Sequence, residues 1–230
     1  MAALITTLID KTDNSELIRD QIAAIIKVES DEQQVLAEAA AKDPRLWALR
    51  VFTERSNPWS EFQDAPDDPL DLPPVVNVSF EAAIGDMNAS NVVERQKVTG
   101  TFHIDCYGYG ISAADVDGHI AGDEAAAIEA QRAMRLVRNI LMAGAYTYLG
   151  FPRGANQIVW RRWPQSLTMF QPALDGRTVQ QVVGCRLALQ VEFNEFSPQV
   201  VGQALQIISA TVKRSETGEI YFTAQYGEDS

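Results

Sequence analysis

The sequence predicts an α+β fold: a mostly antiparallel sheet flanked by an N-terminal helix and a central helix, with a C-terminal β-hairpin extension. Two observations carry this. Apolar residues recur at helical spacing in only two stretches, and the strand-like segments come in neighbouring runs rather than alternating with helices. The turn-prone "DMNAS" and Asp175-Gly176 fall between consecutive strand segments, as an antiparallel arrangement needs.

Residues 15–41 read as one long helix or two joined helices. Ser15 is the expected N-cap, Leu17, Ile18, Ile22, Ile25 and Ile26 share a face, and Pro44 closes the element. The polar, alanine-rich second half is expected to be exposed or packed on a neighbour. "LWALRVFTERS" (46–56) is the first strand candidate, followed by a proline-rich loop over 57–74. Strands are expected over 75–85 and 91–112. In the second of these Phe102, Ile104 and Cys106 point one way and Thr101, His103, Asp105 and Tyr107 the other. A helix over 122–143 carries the stripe Ala133, Leu136, Val137, Ile140 and Leu141, with Arg132, Arg135 and Arg138 on its opposite flank. Strands over 157–172 and 178–196 follow, and 205–226 reads as a hairpin with a charged tip at Ser215–Glu219. Residues 1–200 are expected to form one domain, with 57–74 as an insertion and 201–230 as a hairpin arm.

The 230 residues suffice for a large core, and a net charge of −12 argues against a general nucleic-acid coat. Cys106 and Cys185 are too few for a disulfide framework or a four-cysteine zinc site and read as small buried thiols. The opening "MAALITTLID" lacks the basic and apolar regions of a signal peptide, and "NILMAGAYTYLGFP" is too short to cross a bilayer, so no membrane partner is expected.

Chemistry concentrates first in "TFHIDCYGYGIS" (101–112). His103 and Asp105 share a strand face, and such a pair can bind a metal or join a base to its orienter. The only other histidine, His119, has no recognised catalytic spacing from it. "GYGISA" (108–113) fits the outline of a dinucleotide fingerprint, but "DVDGHIAGD" intervenes before the helix, so the glycines read as places where a strand bends or two backbones approach. There is no G-x-S-x-G. The chain is therefore expected not to be an enzyme and to need no cofactor.

The strongest contrast is one of charge. Residues 126–163 hold Arg132, Arg135, Arg138, Arg153, Arg161 and Arg162 against the single acid Glu129, with Trp160 and Trp163 bracketing the last two arginines. Residues 54–72 are the mirror case: Glu54, Glu61, Asp64, Asp67, Asp68 and Asp71 against Arg55. Tryptophan and arginine are enriched at protein–protein hot spots, and opposite patches suit self-association. Arginine interleaved with tryptophan also suits stacking on single-stranded nucleic acid, which stands as the alternative.

The order of elements resembles that of the tail terminator (tail-completion) proteins of tailed bacteriophages. The likeness is carried by "LITTLIDKTDNSELIRDQIAAII", "PPVVNVSFE" leading into "KVTGTFHIDCYGYG", the helix "EAQRAMRLVRNILM", and the strands "VWRRWPQSLTMFQP" and "VVGCRLALQVEFNEF". It covers roughly residues 4–198 and rests on element order rather than a diagnostic motif. The resemblance implies a structural virion protein of the neck, assembled in the host cytoplasm as a hexameric ring. That ring would end the tail tube, meet the head-side connector, and pass genomic DNA through its lumen without reading sequence. A head-completion or stopper-type neck protein is the nearest alternative. The loop at 57–74 and the C-terminal hairpin depart from the smaller members of the family.

Overall fold

A computed structural model describes residues 8–9, 11–62, 72–86, 95–110, 113–115, 118–154, 157–172, 181–196, 208–213 and 220–226. The chain divides into two compact units, residues 12–196 and residues 1–11 together with 197–230.

The larger unit is a two-layer α+β structure. Helix α1 (Asn14–Ala39) is capped by Asp13, whose carboxylate accepts from the Glu16 backbone N–H; Ser15, expected at that position, lies inside the first turn and donates to Asp13 instead. Ile18, Ile22, Ile25 and Ile26 are buried, each contributing roughly 1.5–3 kcal/mol of apolar burial. Leu17 departs from the expected stripe and is exposed, because the i, i+4, i+7, i+8 row starting at Ile18 already fills the contact with the sheet.

The expected strand over 46–56 is shorter and different in kind. Pro44–Trp47 form a 3-10 helix capped by Asp43, and only Arg50–Thr53 (β1) are extended. β1 pairs in parallel with β2 (Val75–Gly85), the one parallel pair in the sheet. Between them Pro58–Phe62 make a second 3-10 helix. β3 (Arg95–Gly110) runs antiparallel to β2, and the short strands β4 (Ala113–Asp115) and β5 (Gly118–Ile120) form a separate pair. Helix α2 (Gly122–Met142) precedes β6 (Val159–Phe170) and β7 (Gln181–Phe196). β7 inserts between β3 and β6, giving the order β1-β2-β3-β7-β6.

Both helices cover one face of this sheet. Val76, Val78, Phe102, Ile104, Cys106, Cys185, Leu187, Leu189, Val191 and Phe193 point into that core, as period-two alternation requires. The "GYG" glycines belong here. Gly108 and Gly110 are on the helix side of β3, and a methyl at Gly108 would overlap Ala126 O and Ala130 N of α2. They allow close helix–sheet approach, aided by Ala126 and Ala130 on the facing turns.

The opposite face carries a smaller cluster of Phe62, Val75, Tyr107, Tyr109 and Val182, with Phe52, Trp59, Leu72 and Phe170 packed around it. Phe62 stacks on Tyr109 with ring centroids 5.5 Å apart. In the smaller unit, β8 (Ile208–Lys213) and β9 (Ile220–Tyr226) form the expected antiparallel hairpin.

Candidate functional site

α2 presents two different flanks. Ala126, Ala130, Ala133, Met134, Val137 and Leu141 are buried, which leaves Arg132, Arg135 and Arg138 in solvent along a ridge at i, i+3, i+6. Arg132 reaches Glu129 at 3.8 Å, whereas Arg135 and Arg138 make no ion pair among the described residues. Burial pushes the Glu129 carboxyl above its ordinary value, against the opposing pull of Arg132.

Beside this ridge lies β6, the edge strand of the sheet. Its helix-facing Leu167 and Met169, opposite Leu187 and Cys185, are 49% and 42% exposed. Together with Ile128, Gln131 and Met134 they and the three arginines line a groove of about 430 Å3 with Cys185 at its floor. A second groove of about 440 Å3 follows the other flank of α2, between Arg132, Arg135, Leu136 and the segment Leu46–Leu49 with Pro74. The ridge thus stands between two depressions, one walled by exposed apolar side chains and cations.

The aromatic–basic stretch has a different internal logic. Arg161 binds Glu192 (Nε to Oε2, 2.7 Å) and lies 5.1 Å from the Trp163 ring centroid, while Lys97 grips the other oxygen of Glu192 at 2.5 Å and sits 5.9 Å from the ring of Trp160. Glu192, 6% exposed, is held by two cations from neighbouring strands. Arg162 turns inward: its Nε donates to Tyr146 O at 2.7 Å and its Nη2 to Ala143 O at 2.9 Å. It adds a second donor to carbonyls just beyond the end of α2, which already accept from the Tyr146 and Leu149 N–H groups. Burial lowers its affinity for the proton. Arg153 is exposed and lies 4.8 Å from the Tyr148 ring centroid, away from the groove lining.

His103 and Asp105 share a sheet face, but each has its own partner. His103 Nε2 lies 2.8 Å from Glu81 Oε2. Burial and the Arg186 charge hold the imidazole below its usual pKa, against the opposing pull of Glu81 and Asp105. Asp105 receives two hydrogen bonds from Arg186 and a longer one, 3.3 Å, from the Tyr107 hydroxyl. No group of three or more His, Cys, Asp or Glu converges among the described residues, and the His119 side chain lies outside them. Burial pushes the thiols of both Cys106 and Cys185 up.

Of the expected acidic patch, Glu54 accepts from the Phe80 N–H and Arg19, and Glu61 binds Arg55 and Arg50, so both are engaged locally. Asp64, Asp67, Asp68 and Asp71 lie outside the described residues.

Sequence spacing found the arginine ridge but not the groove's far wall. Leu167 and Met169 left one signal, an apolar pair on a strand whose middle is otherwise polar. Glu192 and Arg186 left another, as single charges inside the apolar run of β7.

No protein-family model matches the chain, and no curated protein matches it significantly. No helix among the described residues is long and apolar enough to cross a membrane.

Proposed function

We propose that this chain is a structural protein of the phage head–tail junction, of the tail-terminator type. In that role it assembles in the host cytoplasm as a hexameric ring, ends the tail tube, joins it to the head-side connector and lets DNA through the lumen. It has no catalytic part in this role.

The observation that carries the proposal is β6. An edge strand twelve residues long, exposed along most of its length and flanked by an arginine ridge of which Arg135 and Arg138 make no ion pair among the described residues, is a surface that calls for a neighbour. A ring needs heterologous contacts, in which one side of the subunit complements a different side of the next. Here the β6 side is basic, while the acidic stretch 63–71 joins Phe62 to Leu72, both in the cluster on the sheet face opposite the helices. The residues that could have argued for acid–base chemistry support the same role. His103 and Asp105 are engaged in cross-strand pairs that hold the sheet, not aimed together at a cavity.

Native mass measured across a concentration series, with negative-stain images of the same samples and of samples mixed with tail tubes, tests this. Six-fold rings, free or seated on tube ends, are expected. A chain that neither forms rings nor binds tube ends would overturn it. The exposed arginines and Trp160 keep single-stranded nucleic-acid binding as the second reading, which a salt-dependent affinity for a short oligonucleotide would favour.

A further inference from the structure

We infer, building on the self-association proposed above but not on its viral context, that the groove between α2 and β6 receives the acidic segment 63–71, "QDAPDDPLD", of a second copy of this chain. Three properties of the groove select such an occupant. Its cationic wall is Arg132, Arg135 and Arg138, and two of these have no ion pair among the described residues. Its opposite wall is apolar, made by Leu167 and Met169, with Ile128 beside them. Its strand edge resists simple β-addition: Pro164 lies in mid-strand, and the pairing of β6 with β7 is irregular at Val159/Arg161 and at Pro164/Ser166. A ligand held by side chains, carrying both carboxylates and apolar groups, fits this better than one held through its backbone.

The segment matches in composition and spacing. It carries four aspartates, with Leu70, Pro66 and Pro69 between them, and no basic residue. Bound in an extended proline-type helix, Asp64 to Asp67 and Asp68 to Asp71 would each span about 9 Å with both side chains on one face. Arg132 to Arg138, six residues along α2, also spans about 9 Å. Carboxylate–guanidinium hydrogen bonds at that spacing are the stronger, charge-assisted kind.

A second copy, rather than the same one, follows from where the segment is tethered. Its anchors Phe62 and Leu72 belong to the cluster on the outer face of the sheet, and the chain re-enters through Pro74 beside the second groove, so the arginine ridge stands between the segment's own tether and the Leu167–Met169 wall. Docking between copies is then head-to-tail: a pair leaves a free segment on one copy and a free groove on the other, and a closed ring fills every groove.

The test uses the full chain and a labelled peptide of residues 63–71, read by fluorescence anisotropy. Binding that weakens with salt, and at least about tenfold on Arg132→Gln, Arg135→Gln and Arg138→Gln together, is expected. These side chains are exposed, and circular dichroism checks that the triple variant stays folded. A mixing experiment then separates the two tethering arrangements. Arg135→Glu with Arg138→Glu in one protein, and Asp67→Lys with Asp68→Lys in another, should each abolish self-association and together give a one-to-one complex.

No peptide binding, or binding unchanged by the arginine substitutions, would overturn the inference. So would displacement by an oligonucleotide of equal charge at lower concentration. Peptide binding that is tighter for the Asp67→Lys, Asp68→Lys protein than for the natural one even at concentrations where the natural chain is monomeric would mean that each segment fills its own groove, and would overturn the second-copy assignment. Rings without groove binding would sink this inference alone; groove binding without rings would sink only the hexamer.

Discussion

Arg186 grips Asp105 across the β3–β7 pair with two parallel hydrogen bonds, Nε to Oδ1 and Nη2 to Oδ2, each 2.7 Å long. The two ends of this bridge are not equally wet: the Asp105 side chain is 3% exposed and that of Arg186 38%. Arg186→Leu therefore leaves a buried carboxylate with only the Tyr107 hydroxyl, and should cost about 3 kcal/mol. Asp105→Leu leaves a cation that can swing to water and should cost about 1–2 kcal/mol. Denaturant unfolding of both single variants and the double variant checks the asymmetry. Equal costs for the two single changes would refute it.

Close approach of α2 to β3 depends on Gly108. A methyl there meets backbone atoms of Ala126 and Ala130, which cannot rotate away as a side chain could. Gly108→Ala should destabilise by roughly 3 kcal/mol or more. Gly85→Ala, where nothing lies within 4 Å, is the control and should stay within about 0.5 kcal/mol of the natural chain. Thermal unfolding of the two variants side by side decides it.

The arginines of the basic middle should separate into two classes. Arg162→Lys loses the planar fork that serves Ala143 O and Tyr146 O at once, and should lower stability by about 1–2 kcal/mol without altering association. Arg135→Gln and Arg138→Gln should do the reverse, leaving the melting temperature within about 1 °C. Calorimetry paired with sedimentation on each variant tests this crossover.

Acid should weaken the fold partly through His103. Its folded pKa is held below the ordinary value by burial first and by Arg186 second, so the unfolded chain binds the proton more readily. Stability from this group is present above the unfolded value of about 6.5 and is lost as pH falls through it toward the lower folded value. Between neutral pH and about pH 5 the natural chain should lose roughly 2–4 °C more in melting temperature than His103→Gln. The carboxylates of Asp13, where burial opposes but hydrogen bonds from Ser15 and Glu16 prevail, and of Asp43, held low by hydrogen bonds from Arg45, act at more acid pH and affect both proteins alike. Parallel melting curves for the two proteins over that range would remove His103 from the account.

Periodicity made the main frame legible. The strand over 75–85 is found where alternation put it, and the helices lie within a few residues of their expected ends, because each buries a regular stripe. What failed was local chemistry that imitates another element. Leu46 and Trp47 resemble strand residues, yet Asp43 before Pro44 nucleates a 3-10 turn, and the parallel sense of β1 is a tertiary matter with no local signature. β4 and β5 are too short to alternate detectably. At the groove, one helix suffices to read the three arginines, but Leu167 becomes their neighbour only because β7 folds β6 back beside α2. Arg186 and Asp105, 81 residues apart, were likewise invisible as a pair.

The insertion of β7 between β3 and β6 has a consequence for how the protein is made. On the ribosome, β2, β3, α2 and β6 are all finished before the strand that joins them, so the apolar side of β3, with Phe102 and Ile104, has one strand partner instead of two until residue 196 is built. Pairings this distant in sequence form slowly. A nascent or truncated chain ending before β7 would therefore be a sticky half-sheet, prone to capture by chaperones or to aggregation, and no subunit could enter an assembly before its last core strand was translated.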